Sequence, residues 1–138
     1  MRAYILGGVI AIGVLLAAGR TAAHHSFAAE FDANKPITVT GKVTKVDWTN
    51  PHVWFYINVK DEKTGEVSNW GAEMGPPHGL QRRGWRRDTL KIGEEVTVSG
   101  SLAKNGSKRM NARSVTLTST GGRPGETLDA QSSQRENP

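Results

Sequence analysis

The sequence contains no cysteine. This absence excludes a disulfide framework, a cysteine nucleophile and an acyl anchor of the lipoprotein type. A phosphate-binding glycine loop is also missing, because the glycine-rich stretches have the composition of turns. No serine, histidine and acid occur in a pattern that indicates a triad, and Asp47 and Glu73 are single carboxylates without an evident partner. The sequence therefore favours a protein that binds over one that catalyses.

The N-terminus has the pattern of a secretory signal peptide over residues 1–23. Arg2 precedes an uncharged apolar run at residues 3–19, and Thr21 and Ala23 supply the small side chains that signal peptidase requires. Cleavage after Ala23 would leave His24 as the first residue, and we expect a periplasmic protein. An uncleaved membrane anchor is the alternative, although the run is shorter than the roughly 20 residues that span a bilayer.

The charge of the chain is mildly basic once the leader is set aside. The formal net charge is +5, and Arg2 and Arg20 supply two of these charges in a leader without acids, so that a mature protein carries +3. This modest charge and the expected export argue against nucleic acid as a partner. We expect a small ligand or a periplasmic protein as the partner. Contact with a membrane is expected only through an uncleaved leader or at its surface.

Residues 37–118 alternate apolar and polar side chains with the period of two that is typical of β-strands. The alternation slips between Val43 and Val46, which indicates a β-bulge in a long first strand. Gly75, Pro76 and Pro77 end the third strand and start a short helix that reaches to about Arg83. Five strands are predicted, at residues 37–48, 52–60, 66–74, 94–103 and 109–117.

The order of these elements is three strands, a short helix and two strands. With a bent first strand, this is the order of the oligonucleotide/oligosaccharide-binding (OB) barrel. We therefore expect an all-β protein, a small five- to six-stranded OB-like β-barrel with one short helix between strands 3 and 4. An open sandwich or meander is the alternative. Residues 24–36 are predicted to be an N-terminal extension, residues 37–118 the barrel, and residues 119–138 a disordered tail with Leu128 as its only large apolar residue.

Four short motifs resemble those of a known family. They are HHSFAAEFD at 24–32, WTNPHV at 48–53, Arg83-Gly84-Trp85, and ARSVT at 112–116. Together they resemble an uncharacterised family of secreted bacterial proteins with a domain of unknown function, over residues 24–118. The resemblance implies export and a β domain, but no activity. His78 departs from the family pattern, in which asparagine is expected, so that the resemblance assigns it no role.

His24 and His25 are candidate metal ligands. If cleavage follows Ala23, the α-amino group and the imidazole of His24 can chelate one metal ion together. If cleavage comes one residue earlier, His25 becomes the third residue of the mature chain and can complete a square-planar site. Both arrangements favour copper(II). If the N-terminal segment folds back over the barrel, His52 and Glu73 would add to a mixed nitrogen and oxygen site. The alternative is a pair of exposed histidines without a metal.

The second and third predicted strands present aromatic and polar side chains on their outward faces. Trp54 and Tyr56 lie on the second strand and Asn69 on the third, at the surface where an OB barrel binds its ligands. We predict that these residues bind a ligand, because exposed rings can stack on a sugar, a base or another flat group. The alternative is that the N-terminal segment, with Phe27 and Phe31, covers the rings.

Four arginines form a basic cluster near the predicted helix. Such a cluster can bind phosphate, an anionic lipid surface or an acidic protein, so Arg82 and Arg83 are also candidate ligand-binding residues. The alternative is a solvated face whose apolar neighbours lie in the core. The cluster consists of Arg82, Arg83, Arg86 and Arg87. The apolar neighbours are Leu80, Trp85, Leu90 and Ile92.

Overall fold

The computed structural model describes residues 26–118 and 125–131. The predicted leader lies outside these residues, and so do His24 and His25. In the described part of the chain, no helix has the length and apolar character needed to cross a membrane. The elements in chain order are α1 (Ser26–Glu30), β1 (Phe31–Asp47), β2 (Trp54–Lys60), β3 (Val67–Glu73), α2 (Pro77–Arg82), β4 (Glu95–Ala103), β5 (Arg109–Leu117) and β6 (Thr127–Asp129).

The strands form one sheet that closes into a ring. Their order is β3-β2-β1-β4-β5-β6, and a parallel pairing between β3 and β5 closes the ring. All other pairings are antiparallel, and α2 lies between β3 and β4 in the chain. This arrangement confirms the predicted all-β, OB-like barrel with one short helix between strands 3 and 4.

The long strand β1 is shared by the two halves of the ring. Its first part pairs with β4 and its last part with β2. The register with β2 shifts between Val43 and Lys45, which confirms the bulge predicted from the slip in alternation. A bulge adds a residue and bends the strand, so that one strand can belong to both halves.

The strand β1 starts six residues earlier than predicted. The predicted extension, 24–36, ends where Pro36 already pairs with Ser101 of β4. The strand begins at Phe31, which pairs with Ala103 and is 2% exposed. The sequence pattern did not indicate this start, because the polar residues 32–35 interrupt the apolar alternation that is typical of a strand.

The core of the barrel is built from the inward faces of the strands and from the chain that follows α2. Leu80, Trp85 and Leu90 are buried, as expected if the basic cluster is a solvated face with its apolar neighbours in the core. Ile92, which was expected in the core, is instead 73% exposed. It precedes Gly93, whose φ of +87° forms a tight turn before β4. That turn directs Ile92 outward while Leu90 points inward.

The predicted disordered tail contains an ordered strand. Residues Thr127–Asp129 form β6, which pairs antiparallel with β5. Leu128 lies opposite Val115 and is 9% exposed, and Ala130 is fully buried. One large apolar residue is enough because Leu128 packs into the hydrophobic core of the barrel. The prediction for the tail is therefore wrong at residues 125–131.

Candidate functional site

The register of four strands places the predicted aromatic residues in two rows. Cα partners on neighbouring strands present their side chains on the same face of a sheet. One row runs across β1, β2, β3 and β5 through Lys45, Tyr56, Gly71 and Arg109. The next row runs through Asp47, Trp54, Glu73 and Asn111. We call the surface formed by Trp54, Tyr56 and Gly71 the aromatic face.

Gly71 makes room for the two rings. A Cβ atom at this position would lie 3.3 Å from Tyr56 Cε1 and 3.6 Å from Trp54 Cζ3. Both aromatic side chains are half-buried, and Gly71 is buried beneath them. The missing side chain on β3 therefore allows both rings to lie side by side across the strand.

A cation accompanies each ring of the aromatic face. Lys45 Nζ lies 5.4 Å from the centroid of the Tyr56 ring, and Arg109 Cζ lies 4.6 Å from that of Trp54. Both distances fall within the range of cation–π attraction. Arg109 also lies 3.8 Å from a carboxylate oxygen of Glu30, at the end of α1. The face therefore combines flat apolar surface with positive charge.

Asn69 lies on the same strand as Gly71, but its side chain is engaged within the sheet. Its Nδ2 donates to Thr44 Oγ1 at 3.1 Å and to Asn58 Oδ1 at 2.9 Å. These contacts hold β1, β2 and β3 together at their outward surface. Asn69 therefore stabilises the sheet beside the aromatic face, whereas the sequence had predicted that it contacts the ligand.

A polar cluster lies in the row that contains Trp54. His52 Nδ1 is 3.3 Å from Glu73 Oε1, and Asn111 Nδ2 donates to the same oxygen at 3.3 Å. The side chains of His52 and Glu73 are only 16% and 10% exposed. Asn111 is fully buried, and its Oδ1 accepts no hydrogen bond within the described part of the chain. We call His52, Glu73 and Asn111 the polar cluster.

Burial favours the uncharged form of both titratable groups of the cluster. Burial, together with the smaller effect of the negative charge of Glu30, raises the pKa of Glu73 to about 7, against opposing effects of Asn111 and Arg109. Burial also lowers the pKa of His52, although the charge of Glu30 opposes this change. The cluster can therefore exchange a proton near neutral pH, and His52 can act as a neutral ligand.

The helix α1 brings the N-terminal segment to the edge of this site. The backbone N–H of Lys104 donates to the carbonyl of Glu30 at 2.8 Å, and Lys104 Nζ donates to the carbonyl of Ala28. The rings of Phe27 and Phe31 pack with their centroids 5.9 Å apart. These contacts hold α1 against the β4–β5 turn, next to Arg109.

Arg82 and Arg83 have separate surroundings. Arg83 Nη1 donates to the carbonyl of Gln131 and lies 3.8 Å from a carboxylate oxygen of Asp129, so it holds the segment that contains β6. Arg82 is exposed in the last turn of α2. Within residues 26–118 and 125–131, neither arginine forms a hydrogen bond or ion pair with the aromatic face.

The predicted metal ligands are brought together only in part. His52 and Glu73 are in contact, as a mixed site would require. Among the described residues, no three His, Asp or Glu side chains are arranged to hold a metal ion. His24 and His25 fall outside the described residues, so their part in such a site stays a prediction.

Sequence reasoning missed four residues of this site, namely Glu30, Gly71, Arg109 and Asn111. The alternation did place Gly71 on the face opposite Ala72, which was a usable signal. Asn111 and Arg109 gave no such signal, because they reach the site only through the parallel pairing of β5 with β3. Glu30 reaches it only through the docking of α1.

Comparison with known proteins identifies a family but no activity. No curated protein matches this sequence. The N-terminal domain of the PriB protein from Thermoanaerobacter tencongensis, a dimeric structure, is similar in fold, with 17% identity and a TM-score of 0.40. The match covers 63% of this chain and 99% of that one. The model of the family of unknown function DUF6152 matches residues 12–112, in agreement with the family type that the motifs suggested. This chain therefore belongs to the DUF6152 family.

Proposed function

We propose that this protein is an exported, non-catalytic binding module whose ligand contacts Trp54 and Tyr56. The observation that carries the proposal is the pair of half-buried rings that lie side by side over Gly71 on the outward face of β2 and β3. A flat group, such as a sugar ring or an aromatic ring, can stack on this surface. The cations Lys45 and Arg109, which lie over these rings, favour a ligand that also carries negative charge.

A planar anionic dye, 8-anilinonaphthalene-1-sulfonate, is a suitable probe of the aromatic face. We expect saturable binding of one dye molecule, with quenching of tryptophan fluorescence. Trp54→Ala should weaken the binding at least about fivefold, because stacking on one aromatic side chain contributes about 1–3 kcal/mol. Trp54→Phe, which keeps a ring, should bind more tightly than Trp54→Ala.

The control removes apolar surface elsewhere on β3. Val67 is 55% exposed at the start of that strand, outside the aromatic face. Val67→Ala should leave dye affinity unchanged. Equal dye affinities for Trp54→Ala, Val67→Ala and the unmodified protein would contradict the proposal, provided that circular dichroism shows all three to be folded.

Export to the periplasm is part of the same proposal. Its support is the charged start, apolar run and small residues of the predicted signal peptide. Intact-mass measurement of protein purified from the periplasm, without chelators, should give a chain that begins at His24 or one residue earlier. The same measurement reports any metal that the protein retains. A chain that still begins at Met1 would contradict cleavage.

A second candidate function is copper binding, and one contact favours it. Glu73 lies against Nδ1 of His52, and a carboxylate that receives one ring N–H leaves the other ring nitrogen free to coordinate a metal. Helix α1 begins one residue after His25, and its five residues span about 7.5 Å. Its far end, Glu30, acts on the pKa of both His52 and Glu73. The helix that follows the N-terminal histidines therefore ends near this cluster.

Calorimetric titration with copper(II) tests this second candidate. We expect one ion per chain, and His52→Ala should weaken its binding at least tenfold. An additional residue before the mature N-terminus should have a similar effect, because it displaces the chelating amine. His78→Ala is the control, since His78 is an exposed histidine on α2. Equal copper affinity in the two histidine variants would remove His52 from the site.

A further inference from the structure

We propose that the loop between α2 and β4 docks the protein on a membrane that contains anionic phospholipid. We call residues 82–93, from the last residue of α2 to the turn before β4, the basic loop; it holds four exposed cations and one exposed acid, Asp88. None of the four cations forms an ion pair with another described residue. The cations are Arg82, Arg86, Arg87 and Lys91. This surface is separate from the aromatic face and from the polar cluster.

The loop has a defined conformation with two distinct sides. Its inward side contributes Trp85 and Leu90 to the core. The backbone N–H of Arg86 donates to Thr89 Oγ1 at 2.7 Å, and Thr89 N–H donates to the carbonyl of Arg86 at 3.1 Å. Because the apolar residues anchor one side, the basic side chains are left on the other, where solvent or a partner meets them.

Ile92 adds an exposed apolar side chain to the basic loop. It is 73% exposed, the highest value among the large hydrophobic side chains of the described residues. Gly93, with φ of +87°, donates its N–H to the carbonyl of Val43 at 2.7 Å, and Glu94 N–H donates to the carbonyl of Lys91 at 3.0 Å. These bonds hold Ile92 at the tip of a turn, although the exposed position contributes nothing to the core.

Basic side chains around one exposed apolar residue match the surface of an anionic bilayer. Arginine and lysine meet the phosphate groups, and an aliphatic side chain enters the boundary between headgroups and acyl chains. Each basic residue near such a surface strengthens binding about fivefold. An acidic protein would satisfy the charges of the loop alone, whereas a bilayer surface also takes up the exposed side chain of Ile92. We therefore assign the surface to anionic lipid.

The absence of cysteine permits a label at one chosen site of the full chain. Ile92→Cys carries an environment-sensitive nitrobenzoxadiazole dye, and Val67→Cys, at the second exposed hydrophobic position, carries the same dye as a control. Vesicles contain either phosphatidylcholine alone or 30% phosphatidylglycerol. We expect a blue shift and a rise in emission only at position 92, only with phosphatidylglycerol, and reversed by 0.5 M sodium chloride.

A charge variant identifies the cations that are responsible. Arg86→Gln with Arg87→Gln should weaken binding to phosphatidylglycerol vesicles about 25-fold, from two charges at about fivefold each. Lys60→Gln with Lys63→Gln removes the same charge from the β2–β3 hairpin and should change the affinity less than threefold.

Three results would overturn the proposal. They are equal dye responses at positions 92 and 67, an equal response to both kinds of vesicle, and equal losses in the arginine and lysine variants. An apolar leader that remained attached would bind both kinds of vesicle alike, so it cannot produce the expected pattern. No response at position 92 with any vesicle would also reject the lipid surface, and would leave an acidic protein as the partner to test next.

Discussion

His52, two residues before β2, and Glu73, at the end of β3, lie in a largely buried environment with 3.3 Å between Nδ1 and Oε1. Burial raises the pKa of Glu73 to about 7, from an ordinary value of 4.5. The folded protein therefore holds this proton more tightly than the unfolded chain does. The free energy of unfolding should fall as the pH rises from about 4.5 to about 7, and the loss from this group is on the order of 3 kcal/mol.

Glu73→Gln should remove this pH dependence, because the amide does not titrate. The variant should gain stability relative to the unmodified protein between pH 5 and pH 8, as measured by urea unfolding at both values. Burial lowers the pKa of His52, so the contribution of this group to stability is present above pH 6.5 and is lost at lower pH. Because His52 contacts Glu73, the same comparison in a His52→Ala background separates the two groups. Glu62→Gln, in the exposed β2–β3 turn, is the matched control. A constant difference between Glu73→Gln and the unmodified protein would contradict the expectation.

At the scale of elements, the bulge between β4 and β5 depends on Gly100. The register shifts there, from Ser99 opposite Ser114 to Gly100 opposite Ala112. A Cβ atom at Gly100 would lie 2.0 Å from the carbonyl oxygen of Asn111, which is backbone and cannot turn away. Two strands of the ring therefore approach each other more closely than a side chain permits.

Gly100→Ala should lower the free energy of unfolding by more than about 3 kcal/mol, because relief of the clash requires the two strands to separate. Gly79→Ala makes the same substitution in α2, where the new Cβ would lie 3.6 Å from Pro76 Cγ, an ordinary contact. That variant should be unchanged or more stable by up to about 1 kcal/mol. Denaturant unfolding of both variants compares them directly, and equal stabilities would show that the strands separate at little cost.

The strand β6 should contribute to stability despite its three residues. Leu128→Ala should cost about 2 kcal/mol, because the side chain is buried opposite Val115. Thr127→Ala, at the exposed neighbouring position, should cost less than about 1 kcal/mol. Hydrogen exchange of the Ala130 amide, which donates to the carbonyl of Arg113 at 2.9 Å, measures the docking of this segment directly. Rapid exchange at that amide together with equal stabilities of the variants would refute the contribution of β6.

At the scale of the whole molecule, the barrel extends further toward the N-terminus than residue 37. Phe31 is 2% exposed and pairs with Ala103, and the carbonyl of Glu30 accepts from the backbone of Lys104. A chain that begins at Ile37 should be less stable than one that begins at Ser26 by about 3 kcal/mol or more, the usual cost of losing a buried phenylalanine.

Thermal unfolding of the two chains measures this difference. Phe31→Ala in the chain that begins at Ser26 is the control, and it should account for most of the loss. If the two chains unfold at the same temperature, residues 26–36 add no stability to the barrel.

The sequence alone determined the strands, the bulge in β1 and the order of an OB-like barrel. It could do so because alternation, slips and turn residues are local properties of neighbouring positions. It also placed Trp54 and Tyr56 together on one face, since residues two apart on a strand share a face.

Only the tertiary structure decided which distant residues complete the site. The parallel pairing of β3 with β5 brings Asn111 to Glu73 and Arg109 to Trp54, and that pairing joins residues about 38 positions apart. The burial of Leu128 and the exposure of Ile92 likewise depend on surfaces that exist only in the closed barrel. Composition and periodicity describe a residue and its neighbours in the chain, whereas burial, charge pairing and the pKa of Glu73 depend on neighbours in space.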